Sequence, residues 1–111
     1  MKLSNDDLHK IAQVKAILEM EYKNDNTHAY LARRVSTNES KLRKGFKLVH
    51  KKTIYEYLVA VRIEKAKEML QTTDEPVKAI AIKVGYDVSN LIKQFKKITG
   101  MAPQEWRKQV F

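Results

Sequence analysis

LARRVSTNESKLRKGFKLVHKKTIYEYL, residues 31–58, aligns without a gap on IAIKVGYDVSNLIKQFKKITGMAPQEWR, residues 80–107, at an offset of 49. Eight of the 28 positions are identical (Ala32/Ala81, Val35/Val84, Ser40/Ser89, Leu42/Leu91, Lys44/Lys93, Phe46/Phe95, Lys47/Lys96 and Glu56/Glu105). Chance at ordinary composition supplies roughly two. Leu31/Ile80, Arg34/Lys83, Asn38/Asp87 and Tyr57/Trp106 are similar pairs. A period near 50 in only two copies does not make a solenoid, which needs more units to bury its faces. One supersecondary unit is used twice.

Each copy reads as two short helices around a tight turn. Thr27 is placed to cap a helix carrying Tyr30, Leu31 and Val35. In the second copy Pro76 stands where a first helical turn tolerates it, ahead of Val77, Ile80, Ala81 and Val84. The break is STN in one copy and GYD in the other, with Asn38 and Asp87 as N-caps and Gly85 suited to a positive φ. Beyond each cap, helical spacing aligns Leu42, Phe46 and Val49, and likewise Val88, Leu91, Phe95 and Ile98, as core stripes.

The opposite faces differ in chemistry. The first shows Ser40, Lys41, Arg43, Lys44 and Lys47, and the second Ser89, Asn90, Lys93, Lys96 and Lys97. A hydroxyl near the helix start followed by cations one turn apart suits a recognition helix in the major groove. Residues in its first turns reach base edges, and later cations hold phosphates. A solvated charged face is the ordinary reading of one such helix; repetition of face, cap and turn argues against it here.

Composition agrees. The chain has 111 residues, 43 % apolar, with only three glycines and two prolines, which favours an all-α fold of about seven helices. Cysteine is absent, which removes disulfides, thiolate metal sites and a cysteine nucleophile. The start MKLSNDDLHK is no signal peptide, and the longest apolar run, YLVAV at residues 57–61, is too short to span a bilayer. A soluble, cytoplasmic protein is expected. The net charge of +9 is uneven: residues 1–32 hold four Lys/Arg against five Asp/Glu, and residues 33–111 hold eighteen against eight. A polyanion is the natural partner for the basic part.

TIYE, residues 53–56, is a capping box that starts a helix uninterrupted to about Gln71. Such a rod, near 30 Å long, suits two recognition helices set about one DNA turn, roughly 34 Å, apart. Its apolar positions Ile54, Leu58, Val61, Ile63, Ala66, Met69 and Leu70 run around much of the circumference. Upstream, Ser4 caps a supporting helix with Asp7 three residues on, Leu3 and Leu8 form a staple, and Leu8, Ile11, Val14, Leu18 and Tyr22 form its buried stripe. The expected organisation is a supporting helix over 1–26, a first helix-turn-helix over 27–52, a linker helix over 53–73 and a second motif with a C-terminal helix over 74–111. The two recognition helices fall at about 39–49 and 88–98.

LARRVSTNESKLRKGFK, the linker RIEKAKEML and VKAIAIKVGYDVSNLIKQFKKITGMAPQEWRK together resemble the DNA-binding domain of AraC/XylS-type bacterial transcription regulators, over about residues 27–108. The most telling residues are Ile80-Ala81, Gly85-Tyr86, Phe95-Lys96-Lys97, Gly100, Pro103 and Trp106-Arg107. The resemblance implies specific binding of double-stranded DNA in two adjacent major-groove segments and, usually, activation through RNA polymerase. A separate sensor or dimerisation domain is common in the family.

Carried over by position, the base-reading sites are Ser40, Arg43 and Lys44 in the first motif and Val88, Ser89, Ile92 and Lys93 in the second. Lys41, Lys47, Lys51, Asn90, Lys96 and Lys97 are the phosphate candidates. Arg43 is the candidate for guanine recognition. Two departures matter. Val88 and Ile92 are apolar, which suits thymine-methyl contact better than bidentate hydrogen bonding. Lys51 stands where a glycine usually closes the first recognition helix, which weakens the expected left-handed cap.

An enzyme finds little support: His9, His28 and His50 lack ligand spacing, no phosphate-cradling glycine loop is present, and no metal or cofactor is expected. A protein-interaction module of the same fold is the main alternative. RNA is disfavoured because no aromatic is positioned for base stacking on the basic faces.

Overall fold

The structure, a computed structural model, describes residues 1–110. Seven helices and no strands occur among them: α1 (Asn5–Met20), α2 (His28–Arg34), α3 (Glu39–His50), α4 (Ile54–Thr72), α5 (Val77–Val84), α6 (Val88–Thr99) and α7 (Pro103–Val110). The fold is all-α, as the repeat and the composition predict.

Side-chain caps start α1, α2, α3, α4 and α6. Ser4 Oγ accepts the Asp7 N–H while an Asp7 carboxylate oxygen accepts the Ser4 N–H, a complete capping box. Thr53 and Glu56 form another before α4. Thr27, Asn38 and Asp87 accept the N–H groups of Tyr30, Lys41 and Asn90. Pro76 takes the N-cap position itself, one residue before the first turn, and provides no side-chain bond.

The chain forms two compact units, the first Met1–Leu58 and the second from Val59 onward. The α4 helix gives its first residues to one and the remainder to the other. In the first unit, Ile11, Val14 and Leu18 of α1, Leu31, Ala32 and Val35, Leu42 and Phe46 of α3, and Ile54 and Leu58 of α4 share one buried cluster. In the second, Ile63, Ala66 and Leu70 of α4, Ile80, Ala81 and Val84 of α5, and Leu91 and Phe95 of α6 are buried. Burying the Val, Leu, Ile and Phe side chains among them contributes about 1.5–3 kcal/mol each.

The repeat extends to ring geometry and caps. Phe46 meets Tyr57 at 5.7 Å and 78°, and Phe95 meets Trp106 at 5.8 Å and 77°. The turn and the C-terminal cap of the recognition helix take positive φ in both copies: Gly85 (95°) and Gly100 (82°) in the second, Ser36 (59°) and Lys51 (62°) in the first. Lys51 thus forms the left-handed cap despite its Cβ, and its N–H bonds the Lys47 carbonyl.

Several expected stripes are narrower than the spacing suggests. Leu8 is 44 % exposed, and Asp7 occupies the inward position of that turn because its carboxylate is held there by Ser4 and Lys41. Val49 and Ile98, equivalent residues on the last turns of α3 and α6, are 39 % and 48 % exposed. Periodicity locates a face but not where along the helix its cover ends. Val61, Met69 and Val88 are half-buried.

Candidate nucleic-acid interface

On α3 the buried Leu42, Gly45 and Phe46 fix which side faces the core, so Ser40, Arg43, Lys44 and Lys47 lie exposed. Ser40, Arg43 and Lys44 stand three and four residues apart, which puts them on one face. Among the described residues neither Arg43 nor Lys44 has an ion pair, so both guanidinium and ammonium are available to an external acceptor. His28 at the start of α2 and Thr53 and Tyr55 at the start of α4 line one groove of about 450 Å³ with Arg43, Lys44 and Lys47. An aromatic thus borders the basic side of α3. Tyr55 comes from the next helix, so spacing within α3 gives no sign of it.

The phosphate candidates of this copy are engaged within the protein. The Lys41 ammonium lies 2.9 Å from an Asp7 carboxylate oxygen. Lys47 is 3.7 Å from Glu56 and 3.5 Å from the Lys51 carbonyl, while the Lys51 ammonium donates to the Leu48 carbonyl at 3.1 Å. The Asp7 carboxyl is held below the usual carboxylate range, mostly by the Ser4 N–H and further by Lys41. Glu56 is lowered first by the Thr53 N–H, with Lys47 adding to it.

On α6, Leu91 and Phe95 are buried, and Ser89, Asn90, Ile92, Lys93, Lys96 and Lys97 are exposed beside the half-buried Val88. Asn90 is turned back on its cap, its amide donating to Asp87 at 3.3 Å. Lys93, Lys96 and Lys97 have no carboxylate partner among the described residues. The two helices therefore differ in electrostatics: Lys41 and Lys47 of α3 are partly neutralised by carboxylates, and among the described residues the lysines of α6 are not.

Supporting contacts that residue spacing does not reveal surround these helices. Gly45 is where α1 crosses α3, for a Cβ there would stand 2.9 Å from Ile11 Cδ1 and 3.3 Å from Leu3 Cδ2. Arg34 reaches the two Glu21 oxygens at 2.7 and 2.6 Å and the Tyr30 hydroxyl at 2.9 Å. That fork raises the Arg34 pKa and lowers that of Glu21. Asn26, 5 % exposed at φ 52°, donates to the carbonyls of Glu21 and Asn24. His50 lies against Phe46 at 4.6 Å and Tyr57 at 6.0 Å, with Nε2 buried and without a hydrogen-bond partner. Burial pushes its pKa down, aided by Lys15. Tyr57 donates to Glu19 at 2.7 Å and is pushed up to about 12, by burial first and by Glu19 second.

In the second unit Arg62, 8 % exposed, stacks 4.8 Å from the ring of Tyr86, the residue after the turn glycine. Arg107 donates to the Leu70 and Thr73 carbonyls at 3.2 and 3.3 Å, tying α7 to the end of α4. Among the described residues, no cluster of three or more His, Cys, Asp and Glu is placed to hold a metal, and no helix is long and apolar enough to cross a membrane.

Comparison with known proteins follows the same lines. A family model described as "Helix-turn-helix domain" matches residues 31–109. The HTH-type transcriptional regulator YtdP of Bacillus subtilis (strain 168) is 36 % identical over 94 residues, which cover 84 % of this chain and 12 % of YtdP. The chain thus spans about an eighth of that relative's length. The C-terminal domain of the two-component response regulator yesN from Fusobacterium nucleatum superposes with a TM-score of 0.81 at 31 % identity, covering 86 % of this chain and 95 % of that one. The DNA-binding domain of AdpA, solved with a target DNA, gives a TM-score of 0.84 at 21 % identity, covering 89 % and 90 %. With the duplicated motif, its caps and its basic faces matched by a family model over most of its length, the chain belongs to the AraC-type helix-turn-helix family of DNA-binding transcription regulators, which is not a family of enzymes.

Proposed function

We propose that the chain reads a specific duplex with α3 and α6 in adjacent major-groove segments. Ser40, Arg43 and Lys44 reach base edges from α3, with Arg43 on guanine, and Val88, Ser89, Ile92 and Lys93 face bases from α6. The observation that carries this reading is the pair of exposed, unpaired cations Arg43 and Lys44 on a capped helix whose opposite side is fixed in the core. A complementary part falls to α6, where unpaired Lys93, Lys96 and Lys97 favour phosphate anchoring and exposed Ile92 favours a thymine methyl. Lys47 contributes a weaker phosphate contact, and Lys41, Lys51 and Asn90 are more tied than free. The AdpA domain solved on its target DNA supports a duplex as the ligand.

The regulator acts in the cytoplasm as an activator through RNA polymerase, and a sensor or dimerisation domain belongs to the same system. The small share of YtdP that the chain covers is consistent with such a further domain. A titration at about 0.15 M salt tests the reading. The duplex enriched from a random pool should bind at least about 10³-fold more tightly than a scrambled one. Equal binding of both would favour a protein-interaction module instead.

A further inference from the structure

Besides the shared apolar cluster, an ion pair, a hydrogen bond and a close approach join the first turns of α1 to the first motif. Asp7, 9 % exposed, accepts the Ser4 N–H at 2.9 Å through one carboxylate oxygen and faces the Lys41 ammonium at 2.9 Å through the other. One turn on, the Lys10 ammonium donates to the carbonyl of Ser36, the positive-φ residue of the turn, at 2.8 Å. Between them Gly45 lets Ile11 and Leu3 close on α3. In the second copy Lys41 becomes Asn90, which bonds its own cap, and Gly45 becomes Gln94.

We propose that α1 is a brace that sets the orientation of α3 for base reading, with Asp7 as its positioning residue acting through Lys41. Base readout tolerates only about 0.5 Å and 10–20° of misplacement, whereas phosphate contacts by flexible lysines tolerate more. A brace of this kind therefore governs specificity while leaving the sequence-independent attraction in place. The copy braced in this way is the one whose candidate readers, Ser40, Arg43 and Lys44, are all polar. The proposal rests on the reading of α3 as a base-contacting helix. It reverses the expectation that Lys41 holds a phosphate.

The test uses Asp7→Asn, Lys41→Met and their double variant. Each is titrated over a salt series against the duplex enriched by the wild-type protein and against its scrambled version, well below the melting temperature. Each single variant is expected to lower the ratio of specific to non-specific affinity about 5- to 10-fold, and the double no further, because all three break the same contact. Lys41→Met is expected to keep the salt slope on the specific duplex. Ser4→Ala serves as the control, since it removes the hydroxyl cap of α1 while the residue 4 N–H still serves Asp7; it should lower melting temperature but not the ratio. A slope reduced by about one for Lys41→Met with an unchanged ratio would make Lys41 a phosphate contact and overturn the brace. A ratio lost equally in Ser4→Ala would reduce it to general stability. Amide resonances of α3 in free Asp7→Asn protein judge the brace without DNA: they should shift over residues 39–45, and an unmoved set overturns it. Absence of any preference in the wild-type protein would instead sink the base-reading assignment of α3.

Discussion

Phe95 and Trp106 form a T-shaped pair at 5.8 Å and 77°, joining α6 to α7, and the same contact recurs 49 residues earlier between Phe46 and Tyr57. This pair closes the core behind each basic face. Trp106→Ala is expected to destabilise the protein by about 3 kcal/mol and Trp106→Phe by about 1, because the second keeps a ring against Phe95. Urea midpoints followed by circular dichroism measure both. Equal losses would show that a ring against Phe95 contributes little and that the rest of the indole accounts for the effect.

Ser36 and Lys51 hold positive φ in places where the second copy has Gly85 and Gly100. A side chain in that region costs roughly 1–2 kcal/mol, partly offset by the lower backbone entropy of a non-glycine unfolded chain. Ser36→Gly is therefore expected to stabilise by about 0.5–1 kcal/mol, and Gly85→Ala to destabilise by about 1. Denaturant midpoints at constant m-value decide the signs.

Acid should unfold the protein in two stages. His50 has a folded pKa below its unfolded value of about 6.5, so its neutral form stabilises the fold fully above that pH and the contribution is lost as pH falls toward the folded value. Asp7, Glu21 and Glu56 are also lowered, so their contribution is present above about pH 4 and is lost as pH falls further, through their folded values. His50→Gln should flatten melting temperature against pH between about 7 and 5 and leave the lower stage unchanged. Retention of the upper stage in that variant would assign it to another group.

The cations should separate by function in DNA titrations. Arg43→Ala is expected to cost about 1–3 kcal/mol on the specific duplex and to relax preference at one base pair. Lys96→Ala should weaken all sequences and lower the salt slope by about one, because that ammonium has no internal partner among the described residues. Lys47→Ala should lower the slope less, since Glu56 already neutralises part of its charge. Identical slopes for the two variants would mean that Lys47 leaves Glu56 on binding.

Much of this protein was decided locally. The capping side chains of Ser4, Thr27, Asn38, Thr53 and Asp87 act on N–H groups three residues away, so helix starts are legible from residue type and spacing alone. The 49-residue repeat likewise fixed two equivalent motifs, and helical period fixed which faces of α3 and α6 are apolar. What tertiary structure alone decided is which charges remain available. Asp7 and Lys41 are 34 positions apart in the sequence, and Tyr55 reaches the groove beside Arg43 from another helix. Spacing along one helix carries no information about partners brought in by chain reversal. Charge pairing and close approach at Gly45 depend on those partners. Residue pattern therefore suffices for two basic helices, and packing decides that α3 is partly neutralised by Asp7 and Glu56 while the lysines of α6 stay free of carboxylate partners among the described residues.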